Sequence, residues 1–193
     1  MNSVSTIAGV GLSLRAMRAQ DVEAVFAIEN DAYPFPWTRG NFLHSLASRH
    51  DAWTLFDAEG RLAGYFLLMH AVDETHLLNI TVRPDLQGRG FGRMLLDKVV
   101  DLARSANMHS VLLEVRPSNE HAQAVYHHCG FKQIGIRLLA GGVVGQTAAY
   151  QLIRAAPDKT GNLIDTAIRQ LKLGQHSITC LMQIENGIDQ RAI

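Results

Sequence analysis

The chain predicts an α/β sandwich, a mixed sheet flanked by helices, on three observations. Short alternating or apolar segments of strand length recur along residues 12–115, and segments with helical spacing fall between them. One strand, residues 77–82, leads through a Pro-bounded turn and Gln87-Gly-Arg-Gly-Phe-Gly92 into a helix over about 90–106. The 193 residues, 47% of them apolar, leave room for one full core, and the apolar residues are spread too evenly for a membrane span.

Residues 12–17 alternate and read as the first strand. Residues 19–29 set Val22, Val25, Phe26 and Ile28 near one stripe, which reads as a helix. Asp31-Ala-Tyr-Pro-Phe-Pro-Trp-Thr38 breaks it, because two prolines bar helix and force extended backbone. Thr38 is then placed to cap a second short helix through residue 46. Residues 52–57 and 61–71 read as a hairpin over Ala58-Glu59-Gly60. Residues 110–115 make another strand and 120–128 another helix, with Gly130 placed to end it and Phe131 opening a further strand. Gln151-Leu-Ile153 is the candidate for a final strand, and there is no internal repeat.

Charge and cysteine usage exclude several classes. Lysine plus arginine equals aspartate plus glutamate at 18 each, which argues against direct binding to nucleic acid. An RNA-associated partner would have to be recognised through a protein surface, and no membrane contact is expected. Met1-Asn-Ser-Val4 lacks a basic start followed by an apolar run, so no secretory signal is read. Cys129 and Cys180 form neither a metal spacing nor a disulfide framework, which fits a reducing cytoplasm. The 9 histidines show no metal spacing either, so no metal is expected.

The glycine-rich stretch carries the strongest chemical signal. Gly88, Gly90 and Gly92 remove side chains where the backbone must turn and a ligand could come close. The following helix aims its free N–H groups and the positive end of its dipole at that loop, an arrangement that holds phosphate or pyrophosphate. A dinucleotide fingerprint fails, because the sixth position from Gly88 is Arg93, and no Gly-Lys-Ser/Thr follows for a nucleotide-triphosphate loop. The pattern that remains, Gln87-x-x-Gly90-x-Gly92, predicts a phosphate-bearing cofactor.

Two side chains are candidates for chemistry. In residues 111–115, Val111, Leu113 and Val115 share one face, and Leu112, Glu114 and Arg116 the other. A carboxylate in an apolar strand is costly unless paired or used, so Glu114 is either in a salt bridge, to Arg116 or another basic group, or functional. Tyr126 on its own reads as a core aromatic with a wet hydroxyl.

Taken together, Asn79-Ile-Thr-Val82, residues 87–92, Leu113-Glu-Val-Arg-Pro-Ser-Asn119, Ala124-Val-Tyr126 and Gly130-Phe131 resemble the GNAT acetyltransferase superfamily. The Glu-Val-Arg-x-Ser-Asn segment and the Tyr33-Pro-Phe-Pro-Trp-Thr38 turn narrow the resemblance to its bacterial ribosomal-protein-alanine branch, over about residues 12–137. The resemblance implies a GNAT fold, with a mostly antiparallel sheet splayed at its middle strands, and acetyl-CoA as acyl donor. It implies that Ile80, Thr81 and Val82 offer backbone groups to the pantetheine arm, and that Gly88, Arg89, Gly90, Phe91, Gly92 and Arg93 offer N–H groups to the pyrophosphate. Asn119 would hydrogen-bond the cofactor, Glu114 would be the general base and Tyr126 the general acid. The implied acceptor is the N-terminal alanine of a small-subunit ribosomal protein, taken by a cytoplasmic monomer or weak dimer.

The resemblance stops after Arg137. Where the family continues with a basic Tyr-Tyr-Pro segment, this chain reads Leu138-Leu-Ala-Gly-Gly-Val-Val-Gly-Gln-Thr-Ala-Ala-Tyr150, so the acceptor-side hairpin is either rebuilt or lost. The acetyltransferase domain is expected over residues 10–153, atypical from 138. Residues 154–193 are expected to form an extension that is either disordered or a short amphipathic helix, on which Leu163, Ile164, Ala167, Ile168 and Leu171 would make one stripe. The competing expectations are transfer to a free small amine, or a CoA-binding protein without turnover because the hairpin is altered.

Overall fold

The computed structural model describes residues 5–7, 11–138 and 148–156. Its elements are β1 (Ser5–Ile7), β2 (Leu12–Ala16), α1 (Val22–Ala32), α2 (Arg39–Ala47), β3 (Asp51–Phe56), β4 (Leu62–Ala71) and β5 (Glu74–Val82). They continue with α3 (Phe91–Ser105), β6 (Ser110–Val115), α4 (Glu120–His128), β7 (Lys132–Leu138) and β8 (Ala148–Ala155). The described strands form one sheet in the order β1-β2-β3-β4-β5-β6-β8-β7. All neighbours are antiparallel except β5 and β6.

Helices cover both faces. Val22, Val25, Ile28 and Phe42 of α1 and α2 pack on Ala52, Tyr65 and Leu67. On the other face, Leu95, Leu96, Val99 and Val100 of α3 pack on Phe66, Leu68, Val111, Leu113 and Val115. Neighbouring residues of β4 thus alternate between the two cores, as a strand buried on both faces must. Thr38 caps α2, its Oγ1 accepting from Asn41 N at 3.2 Å. Phe26 departs from its expected place in the buried stripe. It is only half-buried, under the Arg39 guanidinium 4.0 Å from its ring centre.

The middle of the sheet opens. β5 and β6 stay paired from Glu74↔Ser110 to Leu77↔Leu113 and no further, although β5 runs on to Val82. Immediately beyond, the register against β4 shifts, with Leu68 opposite Leu77 but Leu67 opposite Asn79, so Leu78 is an extra residue. Such a bulge bends its strand and sharpens the twist, which is the physical reason that β5 leaves β6 here. It also swaps faces, so that Asn79 and Thr81 turn to the α1 side while Ile80 and Val82 join the α3 side.

The altered ending is rebuilt rather than lost. β8 lies antiparallel between β6 and β7, with Glu114 opposite Gln151 and Val115 opposite Tyr150, and Leu152 and Ile153 are buried. It runs two residues past the expected limit, to Ala155. β1 adds an edge strand that three residues, Ser5-Thr-Ile7, are too short to announce. The expected helical stripe at residues 163–171 lies outside the described residues.

Candidate active site

Two hollows meet at the opening in the sheet. One, of about 720 Å³, lies on the α1 side and is lined by Glu29, the Tyr33–Trp37 turn, residues 77–80 of β5 and Leu113–Arg116. The other, of about 730 Å³, lies on the α3 side between residues 80–82, the glycine loop and α4. Tyr33, Ile80, Asn119 and Tyr126 line both. The splay is therefore a window through the sheet, and a molecule lying in one hollow can present a group to the other.

The α3 hollow ends at a helix mouth. The first helical bond of α3 runs from Met94 N to Gly90 O, so the N–H groups of Phe91, Gly92 and Arg93 have no acceptor within the helix. Gly90, its N-cap, supplies no side-chain cap, and no acidic residue stands in the first turn. Gly88 and Gly90 hold φ of +74° and +86°, where other residues are strained, and a Cβ on either would meet nothing within 4 Å. This 15-residue helix is thus bare at the end where its dipole is positive, beside open space. A pyrophosphate fits that chemistry. Gln87 Nε2 donates to Val82 O at 3.1 Å, which moors the loop to the end of β5.

The strand residues divide. Arg83 N donates to Ala63 O, and in an alternating ladder Thr81 therefore pairs with Tyr65 of β4. Ile80 and Val82 turn their backbone groups to the gap, where Ile80 O accepts from the Tyr33 hydroxyl at 3.2 Å. Thr81 contributes its hydroxyl, on the α1 side, rather than its backbone. Asn119 caps α4, its Oδ1 accepting from Ala122 N at 3.1 Å, so its Oδ1 already has a partner and its carboxamide stays at the junction.

Glu114 alternates with Leu113 and Val115 of the α3-side core, so it stands on the α1 face. Its salt bridge is to Arg137 of β7 rather than Arg116: Nε meets Oε1 at 2.7 Å and an Nη meets Oε2 at 2.5 Å. Gln151 of β8 adds a contact of 3.3 Å to Oε1. The altered ending thus touches this carboxylate directly. Tyr126 comes from α4 on the opposite face, edge-on to Phe131 with ring centres 5.7 Å apart. Burial pushes its phenol above the usual tyrosine value, so it stays protonated at neutral pH. Glu114 and Tyr126 both line the 720 Å³ hollow, one from each side of the window.

Several site residues were not visible in the sequence. Glu29 is 2% exposed yet accepts from Trp37 N (2.9 Å), Asn79 Nδ2 (3.2 Å), Thr81 Oγ1 (3.4 Å) and the Tyr65 hydroxyl. Its only sequence signal is an acid at a helical position adjoining the apolar stripe. Tyr33 was legible only as part of the Pro-Trp turn. Cys129 is half-buried against the core beside the α3 hollow, and burial pushes its thiol up, as suits a packing residue better than a nucleophile. His127 and His128 are exposed on α4.

A sheet opened between the one parallel pair among its described strands, with a bare helix mouth on one side, defines the class to which comparison also assigns the chain: residues 22–131 match the acetyltransferase (GNAT) family, and the chain belongs to it. Among similar proteins is the [ribosomal protein bS18]-alanine N-acetyltransferase of Salmonella typhimurium, 35% identical over 125 residues, which are 65% of this chain and 84% of that protein. The crystal structure of the corresponding enzyme from Escherichia coli superposes with a TM-score of 0.69 at 29% identity, covering 84% of this chain and 99% of that one. A spermidine N-acetyltransferase from Vibrio cholerae in complex with CoA and spermine shares the fold at 21% identity and TM-score 0.62, over 76% of this chain and 96% of its own.

Proposed function

We propose that this chain transfers acetyl from acetyl-CoA to the N-terminal alanine amine of a small-subunit ribosomal protein of the bS18 type, in the cytoplasm, as a monomer or weak dimer. The observation that carries the reading is the window, where a helix mouth suited to pyrophosphate and a hollow holding Glu114 share Tyr126. The ribosomal acceptor is supported by relatives of that name at 33–35% identity over 84% of their length. The rebuilt β8, whose Gln151 lies opposite Glu114 and contacts its Oε1 at 3.3 Å, favours turnover over mere CoA binding.

In this reading acetyl-CoA supplies the thioester. The N–H groups of residues 88–93 hold its pyrophosphate, Ile80 and Val82 align the pantetheine arm, and the Asn119 carboxamide contacts it near the junction. An α-amino group has a pKa near about 8, so at neutral pH it arrives mostly protonated and cannot attack. Glu114 takes that proton, directly or through a water. Arg137 and Gln151 occupy part of its lone-pair set and fix its orientation, leaving the remainder toward the hollow. Such proton transfer is worth about 10²–10⁴ in rate. Tyr126 donates its proton to the sulfur as the carbon–sulfur bond breaks.

The test is a thiol-release assay with an alanine-led bS18 peptide, with the product weighed by mass spectrometry. The reading expects one acetyl group on the N-terminal amine per thiol released. Release with free polyamines but not with the peptide would replace the acceptor, and binding of acetyl-CoA without release would remove turnover.

A further inference from the structure

The α1-side hollow holds two carboxylates, and only one of them is neutralised. Glu114 is clamped by Arg137. Glu29 has four donors, all neutral, and among the described residues no cation pairs with it. Arg116, which lines this hollow among the described residues, is exposed at the rim, its guanidinium 5.5 Å from the Phe35 ring centre, where water screens it. Neutral donors stabilise a carboxylate without cancelling its charge, and a buried charge with no counter-ion is costly. Burial, and then the adjacent Glu29 carboxylate, push the Tyr65 phenol above its usual value.

We propose that Glu29 is a specificity-determining residue, whose uncompensated charge makes this hollow select an acceptor end that carries an ammonium group. The inference rests on the proposed amine acceptor and adds what reads its charge. Glu29 works through its field rather than by direct contact. Its two oxygens already accept from Trp37, Asn79, Tyr65 and Thr81, which hold it against the turn, β4 and β5 and fix it in place. In water-poor surroundings a fixed charge acts over several ångströms more strongly than it would in bulk water. A protonated amine, the prevalent form at neutral pH, is thereby drawn to the wall opposite Glu114, which then removes its proton.

The experiment measures binding by calorimetry to the full chain loaded with CoA. Two ligands are compared, an alanine-led bS18 peptide and the same peptide with its α-amino group replaced by hydrogen. The wild type is expected to prefer the amine by about tenfold or more, and Glu29→Gln to reduce that preference to about one while acetyl-CoA affinity stays unchanged. The amide keeps an oxygen for Trp37 and Asn79, and the two hydroxyls can reverse to accept from its NH₂. A preference retained in Glu29→Gln overturns the inference. So does equal binding of both ligands to the wild type, or binding of neither, and these outcomes need no variant to fold. A wild-type preference that Glu29→Gln abolishes, seen without acetyl transfer to the peptide, would remove the proposed function and leave the role of Glu29 standing.

Discussion

Gly90→Ala separates a ligand-binding loop from an ordinary strand-to-helix turn. Gly90 has φ +86° and ψ −4°. An L-residue there costs about 1–2 kcal/mol, and the lost freedom of the unfolded chain returns about 0.4–1 kcal/mol. The net loss is about 1 kcal/mol, or roughly 2–4 °C in melting temperature for a domain of this size. The new methyl meets nothing within 4 Å, so the empty chain suffers no more than this. With acetyl-CoA the same methyl occupies the space in front of the unpaired N–H groups of α3. Losing one charge-assisted hydrogen bond of about 1.5–3 kcal/mol raises the Kd about 10- to 100-fold. Gly60→Ala is the control, because Gly60 also has positive φ (+74°) and open space but sits in the β3–β4 turn. Calorimetric titration and thermal melts of both variants are the assay. Equal stability losses with unchanged acetyl-CoA affinity in both would refute the assignment of this loop to pyrophosphate.

Three other outcomes are expected. Tyr126→Phe keeps the ring packing on Phe131 and removes the proposed proton donor, so kcat should fall about 100-fold with acetyl-CoA affinity within about twofold by calorimetry; unchanged kcat would remove Tyr126 from the proton path. Glu114→Gln should lower kcat by about 10²–10⁴ and, by weakening a sheltered bidentate pair with Arg137, cost about 1.5–3 kcal/mol in a urea melt. The third concerns His76, which burial holds below its usual value despite the opposing charge of Glu114. The unfolded chain gains a proton below about pH 6.5 that the folded chain refuses, so stability should fall as pH drops through that value. His76→Gln should flatten the melting-temperature slope between about pH 7 and 6; an unaltered slope would contradict this.

Elements whose signals are local were legible in the sequence. Helix α3, its glycine mouth and the strand before it follow from periodicity and from backbone needs at Gly88 and Gly90, all within one short stretch. The Thr38 cap and the Gly130 stop, with φ +87°, are likewise local. The window is not local. It arises where Leu78 bulges against β4, and nothing in an alternating apolar strand marks which residue will be extra. The partner of Glu114 was also out of reach, because Arg137 arrives through a hairpin whose second strand lies in the unfamiliar ending. Glu29 was missed because its donors lie 8 to 52 residues away on the turn, β4 and β5. Its meaning appears only once α1 is packed on the sheet.

The most direct measurement of the central claim is a crystal structure of the chain with CoA joined through its sulfur to the N-terminal nitrogen of an alanine-led peptide. The account predicts pyrophosphate oxygens on the N–H groups of residues 88–93, sulfur within hydrogen-bond reach of the Tyr126 hydroxyl, and peptide lying in the hollow between Glu29 and Glu114. Pyrophosphate bound away from the mouth of α3, or sulfur on the far side of the sheet from Tyr126, would contradict it.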